Sequence, residues 1–258
     1  MNAFKDIFKQ KAFIGFLTAG DPTLDCTEQF IDRMIEAGVN LIEIGIPFSD
    51  PIAEGRTISL ADIRALNGGV TTDKIFDMLS RVRQKHPDFP LVFMTYLNPV
   101  FSYGYERFFQ RAKQLNMLGI IIPDLPFEER NEVKSIAQKY QQSVISLIAP
   151  TSEKRIASIA KEAEGFIYLV SSLGVTGIRR TITTDLNRLV QEIKKYTELP
   201  VAVGFGISNP ETVKSIAPLC DGIIVGSAIV SLVEKYLENA GDYIYSFCRD
   251  MVFANKNA

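Results

Sequence analysis

The sequence predicts a single (β/α)8 (TIM) barrel over residues 1–258, with an extra helix at its N-terminus. Two observations carry this. Short apolar runs alternate with amphipathic helical patterns at a regular beat from end to end, which is the signature of repeated βα units. The turn after the first run, FLTAGDP, is not the Gly-rich nucleotide turn that the rival doubly wound open sheet would need there. No linker, low-complexity segment or charge block divides the chain.

The predicted strands are 12–18, 40–44, 91–95, 119–123, 144–149, 165–170, 201–204 and 222–225. Each is almost wholly apolar, as a strand covered on both faces must be. Helical periodicity marks 27–37, 72–85, 127–139, 153–163, 186–196 and 211–216 between them, about eight helices in all being expected. Residues 2–10, NAFKDIFKQ, read as the extra helix, capping the closed end of the barrel. Two strand-to-helix connections are long: loop 2, from 45 to about 58, and loop 6, from 171 to about 185. At the catalytic end of a barrel, such loops are candidate lids.

Composition narrows the function. Hydrophobic residues make up 47% and charged residues 22%, with a net charge of −2. That leaves no basic face for nucleic acid or for a membrane surface. Cys26, Cys220 and Cys248 are odd in number and far apart, so they fit neither a disulfide framework nor a metal site; they read as reduced thiols of a cytoplasmic protein. Lys5, Lys9 and Lys11 precede the apolar AFIGFLTAG, but Asp6 interrupts them and Gly20-Asp21-Pro22 closes the run as a strand-to-loop junction, against a signal peptide.

The most informative segment is LIEIGIPFSDPIAEGRTIS, 41–59. It places one carboxylate, Glu43, near the end of an otherwise apolar strand, followed by a loop bearing Asp50 and Glu54. Burying a carboxylate there costs several kcal/mol unless it is hydrogen-bonded or faces a cavity. The other polar groups at strand ends are Asp21, Tyr96, Asn98, Asp124, Tyr168, Thr176 and Ser227. His86 falls before strand 3, at the opposite end, and reads as structural. No lysine lies inside a strand, which removes a Schiff-base mechanism, and no His/Cys/carboxylate cluster resembles a metal site. Carboxylates, tyrosine hydroxyls and backbone groups remain, an inventory suited to proton transfer.

Two glycine-rich turns, VGFGIS (203–208) after strand 7 and VGSAIV (225–230) opening a helix after strand 8, add a second signal. Loops 7 and 8 with a short helix N-terminus form the recurrent phosphate site of this fold, so that short helix is expected to bind phosphate. Between phosphate and carboxylate, Phe16, Ile58, Met94, Leu97 and Phe205 suggest a lining for a flat apolar group.

Over essentially its whole length the chain resembles the tryptophan synthase α chain family. The residues that carry the resemblance are GFLTAGDP (15–22), IEIGIPFSDP (42–51), MTYLNPVFSYG (94–104), IIPDLP (121–126), YLVSSLGVTG (168–177), VGFGIS (203–208) and GSAIV (226–230). The resemblance implies a lyase that splits indole-3-glycerol phosphate into indole and glyceraldehyde 3-phosphate by a retro-aldol reaction. It implies no cofactor in this chain, and a β-chain partner in an α2β2 complex that carries pyridoxal phosphate. Glu43 would be the general acid/base and Glu54 would accept from the indole N–H, with Thr176 meeting Glu54 as loop 6 closes. Phosphate would rest on Gly177, Gly204, Phe205, Gly226 and Ser227. Phe16, Ile58, Met94, Tyr96, Leu97 and Tyr168 would surround the indole and its linker, while Asp50, Asn98 and Pro99 would face the β chain.

Loop 2 departs from the family pattern SDP-x-A-D-G-P: position 54 is glutamate rather than aspartate, and position 56 is arginine rather than proline. The longer side chain moves the carboxylate by about 1 Å, a displacement that can cost about 100-fold in rate. Three readings follow: an active lyase with a re-fitted loop 2; a catalytically weakened regulatory subunit that mainly activates the β chain; or a different phosphate-binding barrel enzyme.

Overall fold

The computed structural model describes residues 3–171, 179–204 and 206–258. The strands are β1 Ala12–Thr18, β2 Leu41–Gly45, β3 Leu91–Met94, β4 Gly119–Ile121, β5 Ser143–Ile148, β6 Glu164–Val170, β7 Val201–Gly204 and β8 Gly222–Val225. Each pairs in parallel with the next, and β8 pairs back onto β1, closing the barrel. Helices α1 Ala3–Ile7, α2 Leu24–Glu36, α3 Arg56–Asn67, α4 Thr72–Lys85, α5 Leu97–Tyr103 and α6 Tyr105–Gln114 belong to the first half. The second half carries α7 Asn131–Lys139, α8 Ile156–Glu162, α9 Arg179–Lys194, α10 Pro210–Ile216, α11 Ser227–Tyr236 and α12 Gly241–Lys256.

The core has two layers, set by the alternation of side chains along each strand. Outward-facing residues such as Phe13, Ile42, Ile44 and Phe93 pack against the helices. Inward-facing Ile14, Leu41, Val92, Ile121, Phe166 and Ala202 fill the barrel interior. Phe4 and Phe8 close its N-terminal end, their rings 5.9 and 5.5 Å from that of Phe166. The N-terminal segment thus sits where expected, although its helix covers only Ala3–Ile7.

All eight strands fall within two residues of their expected places at each end, while the helix starts moved more, for reasons of capping. Thr23 accepts from the Cys26 N–H and starts α2 three residues earlier than periodicity suggested. A 3-10 segment, Pro150–Arg155, delays α8. α7 starts at Asn131 rather than 127, and α9 runs Arg179–Lys194 where 186–196 was expected, so loop 6 is shorter than predicted. Twelve helices among the described residues exceed the eight expected: α1 precedes the barrel, the β2–β3 and β3–β4 connections each carry two helices (α3 with α4, α5 with α6), and α12 follows α11 after β8. No described helix is long and apolar enough to cross a membrane.

Candidate active site

Strand register places the first catalytic candidate. Phe16 on β1 pairs with Glu43 on β2, and Glu43 pairs with Val92 on β3. Glu43 shares its parity with Leu41, so its side chain points into the barrel. It is 1% exposed, and neither carboxylate oxygen has a hydrogen-bond partner among the described residues. It lines a cavity of about 350 Å³ at the C-terminal end of the strands. Burial alone pushes its carboxyl up to about 8. Tyr168, also on this cavity, is held well above the usual phenol range by burial and by the neighbouring Glu43 charge.

Phe16, Ile58 and Met94 form the apolar wall, with Ala53, Glu54 and Gly55 of loop 2 across the mouth. The other end is built from Gly206, Ile207 and Ser208 after β7, and from Gly226, Ser227 and Ala228 after β8. α11 starts at Ser227, so the N–H groups of Ser227 and Ala228, which an α-helix leaves without a carbonyl partner in its first turn, lie at this end. Gly206 has φ +76°, a left-handed conformation that a side chain would strain. The cavity therefore combines an end built of glycine-rich turns and a helix start, an apolar wall and a buried carboxyl without a hydrogen-bond partner among the described residues.

Glu54 is only half-buried. Burial pushes it up to about 7, opposed by its own N–H and that of Ala53 and reinforced by the Asp124 charge. The Tyr96 hydroxyl donates to its carboxylate and in turn accepts from the Ile52 and Ala53 amides at 3.0 and 2.8 Å. One tyrosine from the end of β3 thus holds loop 2 and aims its carboxylate. Arg56, the first residue of α3, is exposed and makes no ion pair with Glu54 among the described residues. It occupies the helical position where proline is favoured for its preset φ, so arginine costs that position only preorganisation.

Seven of the site residues named from the sequence meet at this cavity: Phe16, Glu43, Glu54, Ile58, Met94, Gly226 and Ser227, with Tyr168 as an eighth. Tyr96 and Leu97 do not line it. Tyr96 is 2% exposed and reaches the site through Glu54; Leu97 begins α5, donates its N–H to Asp124 at 2.9 Å and packs its side chain in the strand–helix layer. Gly204 lies beneath the site: a Cβ there would stand 2.6 Å from the Tyr168 hydroxyl. Thr176, Gly177 and Phe205 lie outside the described residues. Asp50 and Asn98 are exposed and Pro99 half-buried, on the connections after β2 and β3. Sequence reasoning passed over Ala53 and Gly55 of loop 2, Ile224 on β8, and Gly206, Ile207, Ser208 and Ala228, although these last four lie inside the glycine-rich runs already marked for phosphate. A second cavity of about 330 Å³, lined in part by Pro123, Leu147 and Val170, shares Ala53 with the first.

Elsewhere, the histidine and the cysteines read as structural. His86 ends α4 with its Nε2 2.8 Å from Asp32. Cys26, Cys220 and Cys248 are buried free thiols. No group of three or more His, Cys, Asp or Glu side chains among the described residues is placed to hold a metal ion.

Comparison with known proteins agrees with this geometry. Residues 4–254 match the family profile described as Tryptophan synthase alpha chain. The chain is 46% identical over 252 residues to the tryptophan synthase alpha chain of Lacticaseibacillus casei, covering 97% of this chain and 94% of that one. Its counterpart from Lactiplantibacillus plantarum is 49% identical over 238 residues, 92% and 90% of the two chains. Among solved structures, tryptophan synthase subunit alpha from Legionella pneumophila superposes with a TM-score of 0.91 at 32% identity over 100% of both chains. A chain of the tryptophan synthase complex from Pyrococcus furiosus gives 0.86 at 34% identity, over 95% of this chain and 99% of that one. An eight-stranded barrel with a buried strand-2 carboxyl, glycine-rich turns after strands 7 and 8, and this sequence kinship together mean that the chain belongs to the tryptophan synthase alpha chain family, the lyases that cleave indole-3-glycerol phosphate in tryptophan biosynthesis.

Proposed function

We propose that Glu43 and Glu54 divide the cleavage of indole-3-glycerol phosphate between them. The observation that carries this is Glu43 itself, an unpartnered carboxyl in the cavity, held protonated near neutral pH by burial. As the acid, Glu43 gives its proton to C3 of the indole ring, leaving a positive charge shared with the ring nitrogen. Glu54 accepts from the indole N–H and stabilises that charge. The carboxylate left on Glu43 then takes the proton of the side-chain hydroxyl as the bond from C3 to the hydroxyl-bearing carbon breaks. The electron pair of that bond returns to the ring and neutralises it, releasing indole and the aldehyde with Glu43 protonated again. Protons and electrons balance within the site, so the step draws on acid/base groups of tuned pKa alone.

Substrate phosphate sits at the end formed by Gly206, Ser208, Gly226 and Ser227, where first-turn amides and the α11 dipole favour a dianion by about 1–2 kcal/mol. The family pattern adds Gly177 and Phe205 to this end and brings Thr176 to Glu54. Phe16, Ile58, Met94 and Tyr168 hold the indole and its linker. Glu54 works in place of the family's aspartate because Tyr96 meets it where it stands, which favours an active lyase over a weakened regulatory subunit.

The partner is a tryptophan synthase β chain that carries pyridoxal phosphate, in an α2β2 complex. Family membership supports this, as do Ile52 and Phe101, 80% and 64% exposed on the connections that bear Asp50 and Asn98. Apolar side chains so exposed, beside polar ones, suit an interface. The free buried thiols fit the reducing cytoplasm. The test is indole release from indole-3-glycerol phosphate by this chain, alone and with a β chain. Release stimulated by the partner is expected; substrate binding without turnover in both conditions would instead make this a regulatory subunit.

A further inference from the structure

The second cavity, of about 330 Å³, opens along a seam in the barrel wall. β4 pairs with β5 only as far as Ile121 opposite Ile145, while β5 runs on to Ile148. Beyond the last pair, Ile122 and Pro123 line one side of the cavity, and Ser146 and Leu147 the other. Two arginines, Arg130 and Arg155, also line it, and no carboxylate does among the described residues.

Arg130, the residue before α7, is the unusual one. It is 8% exposed. Its Nη2 donates to Glu162, and its guanidinium carbon lies 3.9 Å from the centre of the Phe127 ring. Its Nε and Nη1 are buried and have no hydrogen-bond partner among the described residues. Contact with the aromatic face offsets part of the cost of burying the cation, but it supplies no acceptor for those two nitrogens. Donors of a charged group shut off from water and left unpaired are costly, and an apolar side chain of similar length would avoid that cost. Glu162 does not explain the arginine either: its side chain is 60% exposed, where water serves it nearly as well. Arg155 is the ordinary case, with a side chain 54% exposed and Nη1 3.1 and 3.3 Å from the two Glu128 oxygens.

Unpaired donors on a fixed cation, beside apolar walls, are what an organic anion requires. Glu162 and Glu128 already balance the two arginines, so the cavity suits one added negative charge rather than a phosphate dianion. A planar carboxylate also matches the planar guanidinium. We propose that this cavity binds a small monocarboxylate with an apolar body, its carboxylate on Arg130 and its body against Leu147, Ile159 and Val170. Ala53 belongs to both cavities, so such a ligand stands against loop 2, at the residue before Glu54. The assignment is independent of the roles given to Glu43 and Glu54.

The test titrates phenylacetate, and phenylacetamide as its uncharged counterpart, into the full chain with isotope-labelled methyl groups read by NMR. Phenylacetate is expected to shift the methyls of Leu125, Leu147, Ile159 and Val170 in a saturable way, more than those of Ile58, Met94 and Ile224 in the substrate cavity. Phenylacetamide is expected to bind about tenfold more weakly or worse, having lost the charge-assisted bond. Arg130→Met keeps the length of the side chain and its contact with Phe127; it should weaken phenylacetate by about tenfold or more, with a Tm equal to or above the parent's. Shifts confined to the substrate cavity, equal affinity for acid and amide, or full affinity in Arg130→Met would each overturn the proposal. Where Arg130→Met does not fold, the parent's choice between acid and amide still decides.

Discussion

Replacing Glu43 by glutamine is expected to end cleavage and to stabilise the barrel above acid pH. Burial raises this carboxyl from 4.5 to about 8. Below pH 4.5 the folded and unfolded chains both hold the proton, and Glu43 has no effect on the pH dependence of stability. Between 4.5 and about 8 the unfolded chain has released the proton and the folded barrel retains it, so stability falls as pH rises. At about 1.36 kcal/mol per pH unit, the loss reaches roughly 3 kcal/mol by pH 7. Glutamine is neutral throughout and leaves its polar atoms as unpartnered as those of the acid it replaces. The difference in unfolding free energy between Glu43→Gln and the parent should therefore be near zero at pH 4.5 and grow to roughly 3 kcal/mol in the variant's favour at pH 7. Urea unfolding of both chains at intervals across this range measures it. Glu54 and Asp62 also titrate near 7, but they are common to both chains and cancel in the difference. A difference that stays constant with pH would refute the argument, because Glu43 would then titrate alike in the folded and unfolded states.

Other consequences are as direct. Gly204→Ala places a methyl 2.6 Å from the Tyr168 hydroxyl and 2.7 Å from its ring, so it should cost about 1–3 kcal/mol in unfolding experiments and lower indole release about tenfold or more. Tyr96→Phe removes the hydroxyl that joins Glu54 to two loop-2 amides; kcat/KM should fall about tenfold or more while stability falls by about 1 kcal/mol. Arg64→Ala leaves Asp21, 2% exposed, without its cation, and should lower stability by about 3 kcal/mol with the Tm read by circular dichroism.

The strands were legible because a doubly covered strand must be a continuous apolar run, and Glu43 was legible because it breaks one. Helix starts were less so, since a cap such as Thr23 or a 3-10 entry such as Pro150–Arg155 is a local hydrogen-bond choice that periodicity does not record. Leu97 looked like lining because it is apolar and follows β3, but α5 begins there and turns it into the outer layer. Tyr96 was named for contact with substrate, whereas the structure places its hydroxyl on Glu54, 42 residues away in sequence. Arg130 gave no signal at all: in the charged run FEERNEVK, 127–134, one arginine reads as solvated, and only the packing around it shows that it is buried.

The central claim is that Glu43 is the proton donor and acceptor of the cleavage. It is tested most directly by following indole release from indole-3-glycerol phosphate with the unaltered chain and Glu43→Gln side by side, each checked for substrate binding. The account predicts turnover in the first, and binding without indole release in the second. Turnover retained in Glu43→Gln would contradict it.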